Sequence, residues 1–474
     1  MAYQSKVVNG VIWSAIERFS VQGIQFLLSI VLARLVVPSD YGMIAMLSIF
    51  LAVAQQFVDS GFSNALVQKK NRSEIDFSTV FYTNLVIAIV IYSVLFAAAP
   101  WIARFYAIPQ LEIVTKWIGL IIILSGFSIV QRAKLTIELD FKTQAKISLF
   151  SVIVSGVCGI LLAWYGYGVW ALVVQNLANS FFNTILLWIF AKWKLQLAFS
   201  WQSFRSLFSF GSKLLLVGIL HVFYSNIYTL IIGKKYSASD VGYFNRSQTL
   251  SMFPSVNISQ VITRALYPMQ CEIQDNDIRL KESFLQSLRL SVYVVFPLMV
   301  LLGVLAEPII RIMLTDKWLP SAPILSILCL AYIWYPIMAL NWQLVNVKGK
   351  SNLALKAELW GKSCSLLILI ITIPIGLKAI CWGIVFSNIL DIIIMIHYVK
   401  KVMTVGYKQQ AKSLFPFITL AMFMGIVAYG CTIAINNPWL ELLIGGALGL
   451  LVYFGMSWLF HFRELGMLFT IIKK

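Results

Sequence analysis

Arg34-Leu35-Val36-Val37-Pro38-Ser39-Asp40-Tyr41-Gly42 is a short polar turn set between two long apolar runs, and its counterpart stands 200 positions further on. There the chain reads Lys234-Lys235-Tyr236-Ser237-Ala238-Ser239-Asp240-Val241-Gly242, again basic before Ser-Asp-x-Gly and again between apolar runs. In the same frame Ala65-Leu66 falls on Ala265-Leu266, and 5 of the 36 positions from 31 to 66 equal their counterparts. Two origins fit: an internal repeat, or two ordinary helix starts, since a Ser-Asp pair before an apolar run supplies N-cap oxygens.

Working outward, 60% of the 474 residues are hydrophobic and only 12% are charged, a composition far from that of a soluble globular chain. Crossing a hydrocarbon core takes about 20 apolar residues of helix. Fourteen such runs are present, from 8–36 and 41–66 at the start to 413–435 and 438–460 at the end. They predict an all-α polytopic membrane protein, and no loop between them is long enough for a folded soluble domain.

The net charge of +18 is read through its distribution, not as an affinity for nucleic acid. With fourteen spans, 27 of the 37 basic residues fall on the side of the N-terminus, 9 fall on the other, and Arg18 lies inside the first span. Under the positive-inside rule both termini are cytoplasmic. The first span contains Glu17 and Arg18 and ends in Pro-Ser-Asp, so it reads as retained and not as a cleaved signal. The six cysteines show no C-x-x-C spacing and read as small apolar fillers, with no metal site implied.

Six spans separate the starts of the two Ser-Asp-x-Gly turns. An even number returns the chain to the same side, as parallel repeats require. The expected organisation is an N-terminal six-helix lobe (1–190), an amphipathic cytoplasmic linker (191–212), a C-terminal six-helix lobe (213–400), and two further spans with a cytoplasmic tail (401–474). Pro254, Pro297 and Pro336 fall inside spans of the second lobe, whereas those of the first (Pro38, Pro100, Pro109) sit at span ends. The second lobe is therefore the one expected to kink.

Polar residues within spans mark the faces that avoid lipid. Span 1 carries Ser14, Arg18, Gln22, Gln25 and Ser29 at helical spacing, with Glu17 at the edge; span 2 carries Ser48, Gln55 and Asp59. Span 7 carries His221, Ser225 and Tyr228, and span 8 carries Asn257, Gln260 and Arg264. Either these stripes line a water-accessible cavity or they bond helix to helix. A cavity with arginines and few acids favours an anionic ligand, because the guanidinium fork matches phosphate. Glu17, Asp59 and Asp391 are the acidic candidates for coupling to Na+ or H+. Arg34, Asp40, Lys234, Lys235 and Asp240, flanking the two turns, are candidates for a periplasmic gate. No H-E-x-x-H or G-x-S-x-G occurs. Two Gly-Lys-Ser tripeptides have Leu344 and Lys356 where a phosphate-binding loop needs glycine, so neither an enzyme nor an ATP-driven pump is indicated.

Leu32-Ala33-Arg34-Leu35-Val36-Val37-Pro38-Ser39-Asp40-Tyr41-Gly42, followed by Phe57-Val58-Asp59-Ser60-Gly61-Phe62-Ser63-Asn64-Ala65-Leu66-Val67-Gln68, resembles the N-terminal signature of bacterial polysaccharide exporters. These are the Wzx-type flippases of the multidrug/oligosaccharidyl-lipid/polysaccharide superfamily. Ser239-Asp240-Val241-Gly242-Tyr243-Phe244 is similar to the matching second-half segment. The resemblance implies two six-helix bundles in a V around a cavity, plus two extra helices offering a groove to a polyprenyl tail. It implies flipping of an undecaprenyl-diphosphate-linked oligosaccharide across the inner membrane, with Arg18 and then Arg264 against the diphosphate. Action as a monomer beside a polysaccharide polymerase and assembly proteins is expected. The alternatives are an ion-coupled multidrug exporter of the same superfamily, and a membrane-embedded polymerase or transferase.

Overall fold

The first of the two turns begins a helix at proline, which needs no N–H partner there, and the second begins at a capping box. Ser237 N–H and Oγ–H donate to Asp240 Oδ2 (3.1 and 2.7 Å), while Asp240 N–H donates to Ser237 Oγ (3.1 Å). The capping serine is thus Ser237; Ser39 and Ser239 lie within the first turns, where Asp40 and Asp240 set negative charge against the helix dipole. Elsewhere Ser73 and Asp76 form a second capping box, and Asp140 and Ser200 cap the helices that follow them.

The computed structural model describes residues 2–472 except 60 and 70; side chains of 2–12, 14–19, 64, 209, 210, 213, 214 and 468–472 lie outside the described set. Helices α1 (Ala2–Leu35), α2 (Pro38–Asp59), α3 (Phe62–Gln68), α4 (Glu74–Tyr106), α5 (Gln110–Ile118), α6 (Leu120–Ile137), α7 (Phe141–Trp164), α8 (Val169–Phe190) and α9 (Trp201–Lys235) form the first half. They are followed by α10 (Ala238–Glu272), α11 (Asp277–Val304), α12 (Ala306–Leu314), α13 (Ser321–Tyr332), α14 (Tyr335–Val347) and α15 (Ser351–Thr372). The chain ends with α16 (Leu377–Lys400), α17 (Tyr407–Ala434), α18 (Pro438–Leu459) and α19 (Arg463–Ile472). Among the described residues there is no strand.

Among the described residues eleven segments are long and apolar enough to cross a membrane, α5–α6 and α13–α14 each counting as one. The three remaining expected spans coincide with α1, α10 and α15: the described side chains of α1 cover only the apolar stretch Ser20–Leu35, and polar and charged residues lower the apolarity of α10 and α15. Three differences from the sequence expectation matter. Helix α4 runs on past Pro100 to Tyr106, placing that proline inside a helix; α6 continues to Ile137, so Arg132 is a helical residue and not part of a loop. Residues 192–200 are not helical and α9 then runs unbroken from Trp201, so 191–212 does not form a separate amphipathic helix. Trp193 is buried, its indole N–H donating to Glu74 Oε2 at 3.0 Å.

The chain divides into two compact units, Met1–Gly242 and Tyr243–Lys474. In the first, α7 packs on α1 and α8, and an aromatic core of Phe62, Phe77, Phe81 and Trp193 sits beneath α4, α6 and α9. The two repeat glycines meet within this unit. A Cβ on Gly42 would strike the Ala238 carbonyl oxygen, and one on Gly242 would strike that of Pro38; the opposite glycine's nitrogen lies 3.1 and 3.4 Å away. The starts of α2 and α10 therefore cross backbone to backbone, in a reciprocal contact that only glycine permits. In the second unit α11 is central: Tyr453 O–H donates to the Tyr293 carbonyl (2.8 Å), and Arg289 pairs with the buried Glu464 of α19 (2.7 Å).

Gly42→Leu and Gly242→Leu should each destabilise the protein by about 1–3 kcal/mol or more, the scale of overpacking. Gly455→Leu, where an added Cβ would meet nothing within 4 Å, should be close to neutral. Thermal unfolding in detergent checks the contrast; equal effects at all three positions would refute the crossing.

Candidate functional site

Helix α8 has two faces of opposite character. Val174, Leu177, Ala178, Phe181 and Phe182 line an apolar pocket, whereas Asn176, Asn179, Ser180, Asn183 and Thr184 face a separate cleft of about 310 Å³. The spacing i, i+3, i+4, i+7 stacks the latter along one side of the helix. Helix α6 adds Ile121, Ser125, Ser128 and Arg132 at a similar spacing, α7 adds Ser148 and Val152, and α1 adds Val21 and Gln25. Ten of these thirteen lining residues carry an amide, a hydroxyl or a guanidinium, and none is acidic or aromatic. In a chain this apolar, that concentration marks a hydrophilic cleft and not a packing surface.

Internal bonds hold the walls in place. Thr184 Oγ1 donates to the Leu124 carbonyl at 3.1 Å and Trp188 Nε1 to the Phe127 carbonyl at 2.9 Å, tying α8 to α6. Asn176 donates to the Leu172 carbonyl one turn back (2.8 Å) and Ser128 to the Ser125 carbonyl (3.0 Å). The Arg132 guanidinium donates to Asn183 Oδ1 at 3.1 Å, which sets the one formal charge of the lining at the C-terminal end of both polar rows. Asp59, at the end of α2, accepts from Gln55 (3.4 Å) and lies within electrostatic reach of Arg132.

The residues singled out from the sequence have varied fates. Gln25 lines the cleft. Gln22 is half-buried on the same helix. The side chains of Glu17 and Arg18 lie outside the described residues. Ser48 meets Asn226 across α2 and α9 (3.2 Å), so part of the span 2 stripe bonds helix to helix. On the same α9, His221 and Ser225 are exposed and 3.5 Å apart, and Tyr228 is half-buried. In the second unit Asn257 donates to the Phe253 carbonyl, Gln260 is half-buried on α10, and Arg264 is exposed.

Among the gate candidates, Lys234 donates to the Phe105 carbonyl at 2.7 Å, capping the end of α4, and lies over the Phe105 ring. Asp40 packs against Gly168; Arg34 and Lys235 are exposed. Of the coupling candidates, Asp391 Oδ1 is buried against Gly361 without a hydrogen-bond partner, in the second unit. Among the described residues no group of three or more His, Cys, Asp or Glu could hold a metal. A concavity in that unit, about 550 Å³, lies between α17 and α18 and is lined by Pro416, Leu420, Phe423, Met456, Phe460 and Phe462 together with Thr419.

The sequence reading missed Arg132 and the asparagines of α8. The signal was present: Ser125, Ser128 and Arg132, and Asn176, Asn179 and Asn183, both follow i, i+3, i+7. Arg132 stands at the end of an apolar run, where a charge reads as the boundary of the span, and that hides the first row.

A family profile described as "Polysaccharide biosynthesis protein" matches residues 31–323, which include α6–α8 and both glycine turns. The chain belongs to this family. Among its relatives, the teichuronic acid biosynthesis protein TuaB of Bacillus subtilis is 24% identical over 91% of this chain and 90% of its own length. The lipopolysaccharide biosynthesis protein WzxC of Escherichia coli is 23% identical over 92% and 90%. A solved structure of the lipid II flippase MurJ, in an inward closed conformation, superposes with a TM-score of 0.77 at 15% identity, covering 95% of this chain and 99% of that one. The all-helical fold of this family member is thus shared with MurJ.

With the six native cysteines replaced, Asn179→Cys and Ser125→Cys should react with a membrane-impermeant thiol reagent added to the side on which the cleft opens. Leu172→Cys, whose position is 3% exposed, should stay unlabelled. Protection of both cleft positions from either side would show that the cleft is dry.

Proposed function

We propose that this chain is a flippase that moves an undecaprenyl-diphosphate-linked oligosaccharide across the bacterial inner membrane by alternating access, for assembly of a surface polysaccharide. The observation that carries the reading is the α6–α8 cleft: hydroxyls and amides suited to sugar, one guanidinium suited to phosphate, no acid to attract a cationic drug. Family membership and the names of the relatives support it. The apolar groove between α17 and α18 offers the polyprenyl tail a surface.

In this reading α1, α10 and α15 join the eleven apolar segments to make fourteen spans, and the 27 to 9 split of basic residues sets both termini in the cytoplasm. The glycine crossing and its basic neighbours then lie on the periplasmic side as a gate. Asp59, close to the cleft arginine, and Asp391 are the acids proposed for coupling to Na+ or H+. The lipid-linked sugar is the main partner, delivered to a polysaccharide polymerase.

Deletion in the source bacterium should abolish surface polysaccharide and leave lipid-linked repeat units in the cytoplasmic leaflet. Intact polysaccharide with raised drug sensitivity would overturn the proposal in favour of a drug exporter. Arg132→Ala should cut export at least about tenfold, the scale of one lost charge-assisted contact, at normal membrane abundance, with Arg132→Lys retaining part. Full complementation by the alanine variant would remove Arg132 from the site.

A further inference from the structure

The cleft is graded along its length, and the grading matches one particular kind of ligand. On α8 the asparagine row from Asn176 through Asn179 to Asn183 rises about 10 Å, at 1.5 Å per residue, and Ser125, Ser128 and Arg132 on α6 form the facing row. Both rows are neutral until their C-terminal ends, where Arg132 meets Asn183 at 3.1 Å. A carboxamide offers both donor hydrogens and an acceptor oxygen, and a hydroxyl does the same. Such groups pair with sugar hydroxyls, which also donate and accept. The lining holds no aromatic ring on which a sugar or a drug could stack and no carboxylate to hold a cation.

The volume of about 310 Å³ is at the small end of ligand pockets, which span about 300–1,000 Å³. That leaves room for a small saccharide and not for a whole repeat unit. We infer that the cleft reads the diphosphate-proximal sugar of the lipid-linked substrate, with the phosphate held at Arg132 and the sugar hydroxyls set along Asn176 and Asn179. These two asparagines are then specificity residues, and sugars far from the lipid pass without inspection. This inference rests on the flippase reading but goes beyond it, because a flippase could equally grip the diphosphate alone and ignore the sugar.

The test uses the full-length protein in nanodiscs, with undecaprenyl diphosphate and a panel of undecaprenyl diphosphates bearing glucose, galactose or N-acetylglucosamine as probes. Wild type should bind at least one glycosylated lipid about tenfold or more tighter than the bare diphosphate. Asn176→Ala/Asn179→Ala should abolish that preference while leaving affinity for the bare lipid within about twofold, since two neutral hydrogen bonds are lost and no charge. Arg132→Ala should weaken the bare and glycosylated lipids alike, by about tenfold. Alanine favours the helix at both asparagine positions, and the unchanged affinity for the bare lipid reports that the double variant is folded. Equal binding of bare and glycosylated lipids by wild type, or an undiminished preference in the double variant, overturns the sugar-reading role while the flippase reading stands. Failure of wild type to bind any of these lipids overturns both.

Discussion

A polar group surrounded by hydrocarbon has to find a partner or pull water in with it. In a chain with so few charges this constraint sorts nearly every polar side chain. Some solve it within their own helix, as Asn176 and Ser128 do by donating to carbonyls one turn back. Others solve it between helices, as Ser48 does with Asn226, or Asn341 with Gln410 in the second unit (2.8 and 3.0 Å). What these bonds do not consume collects on facing sides of α6 and α8, and the result is a hydrophilic cleft in the first unit.

The two glycine turns answer a steric constraint. Where α2 and α10 begin, each presents a carbonyl to the other's glycine, and both glycines are buried. Neither contact tolerates a Cβ, so the identity of both residues follows from a single crossing. The glycine common to the two turns follows from that reciprocal geometry: each helix start leaves the other no room for a side chain. Their caps differ all the same. Ser237 and Asp240 form a full box, while Pro38 opens α2 and Asp40 turns toward Gly168.

Much of this was legible in the amino-acid order. Apolar run length located a helix at every expected span, and the even spacing of the turns linked their two helix starts. The polar cleft was only half legible. Gln25 stands out because its stripe on α1 is long, but Arg132 does not, because a charge near the end of an apolar run reads as the boundary of the run. The asparagines of α8 escape notice for the opposite reason: uncharged, they barely lower the apolarity of their span.

The sequence by itself determined that the chain is helical and membrane-bound, because about 20 apolar residues in a row have few other stable fates; that glycine is required at both turns only the backbone crossing decided. The sequence could not determine which polar stripes face one another. That depends on the rotation of each helix about its axis, which side-chain packing sets. Only the tertiary structure decided that the α2 stripe partly bonds to α9, and that rows on α6 and α8 turn toward a common space with Arg132 at its end. Helical periodicity gives each helix its polar face; the neighbours against which it packs decide what that face sees.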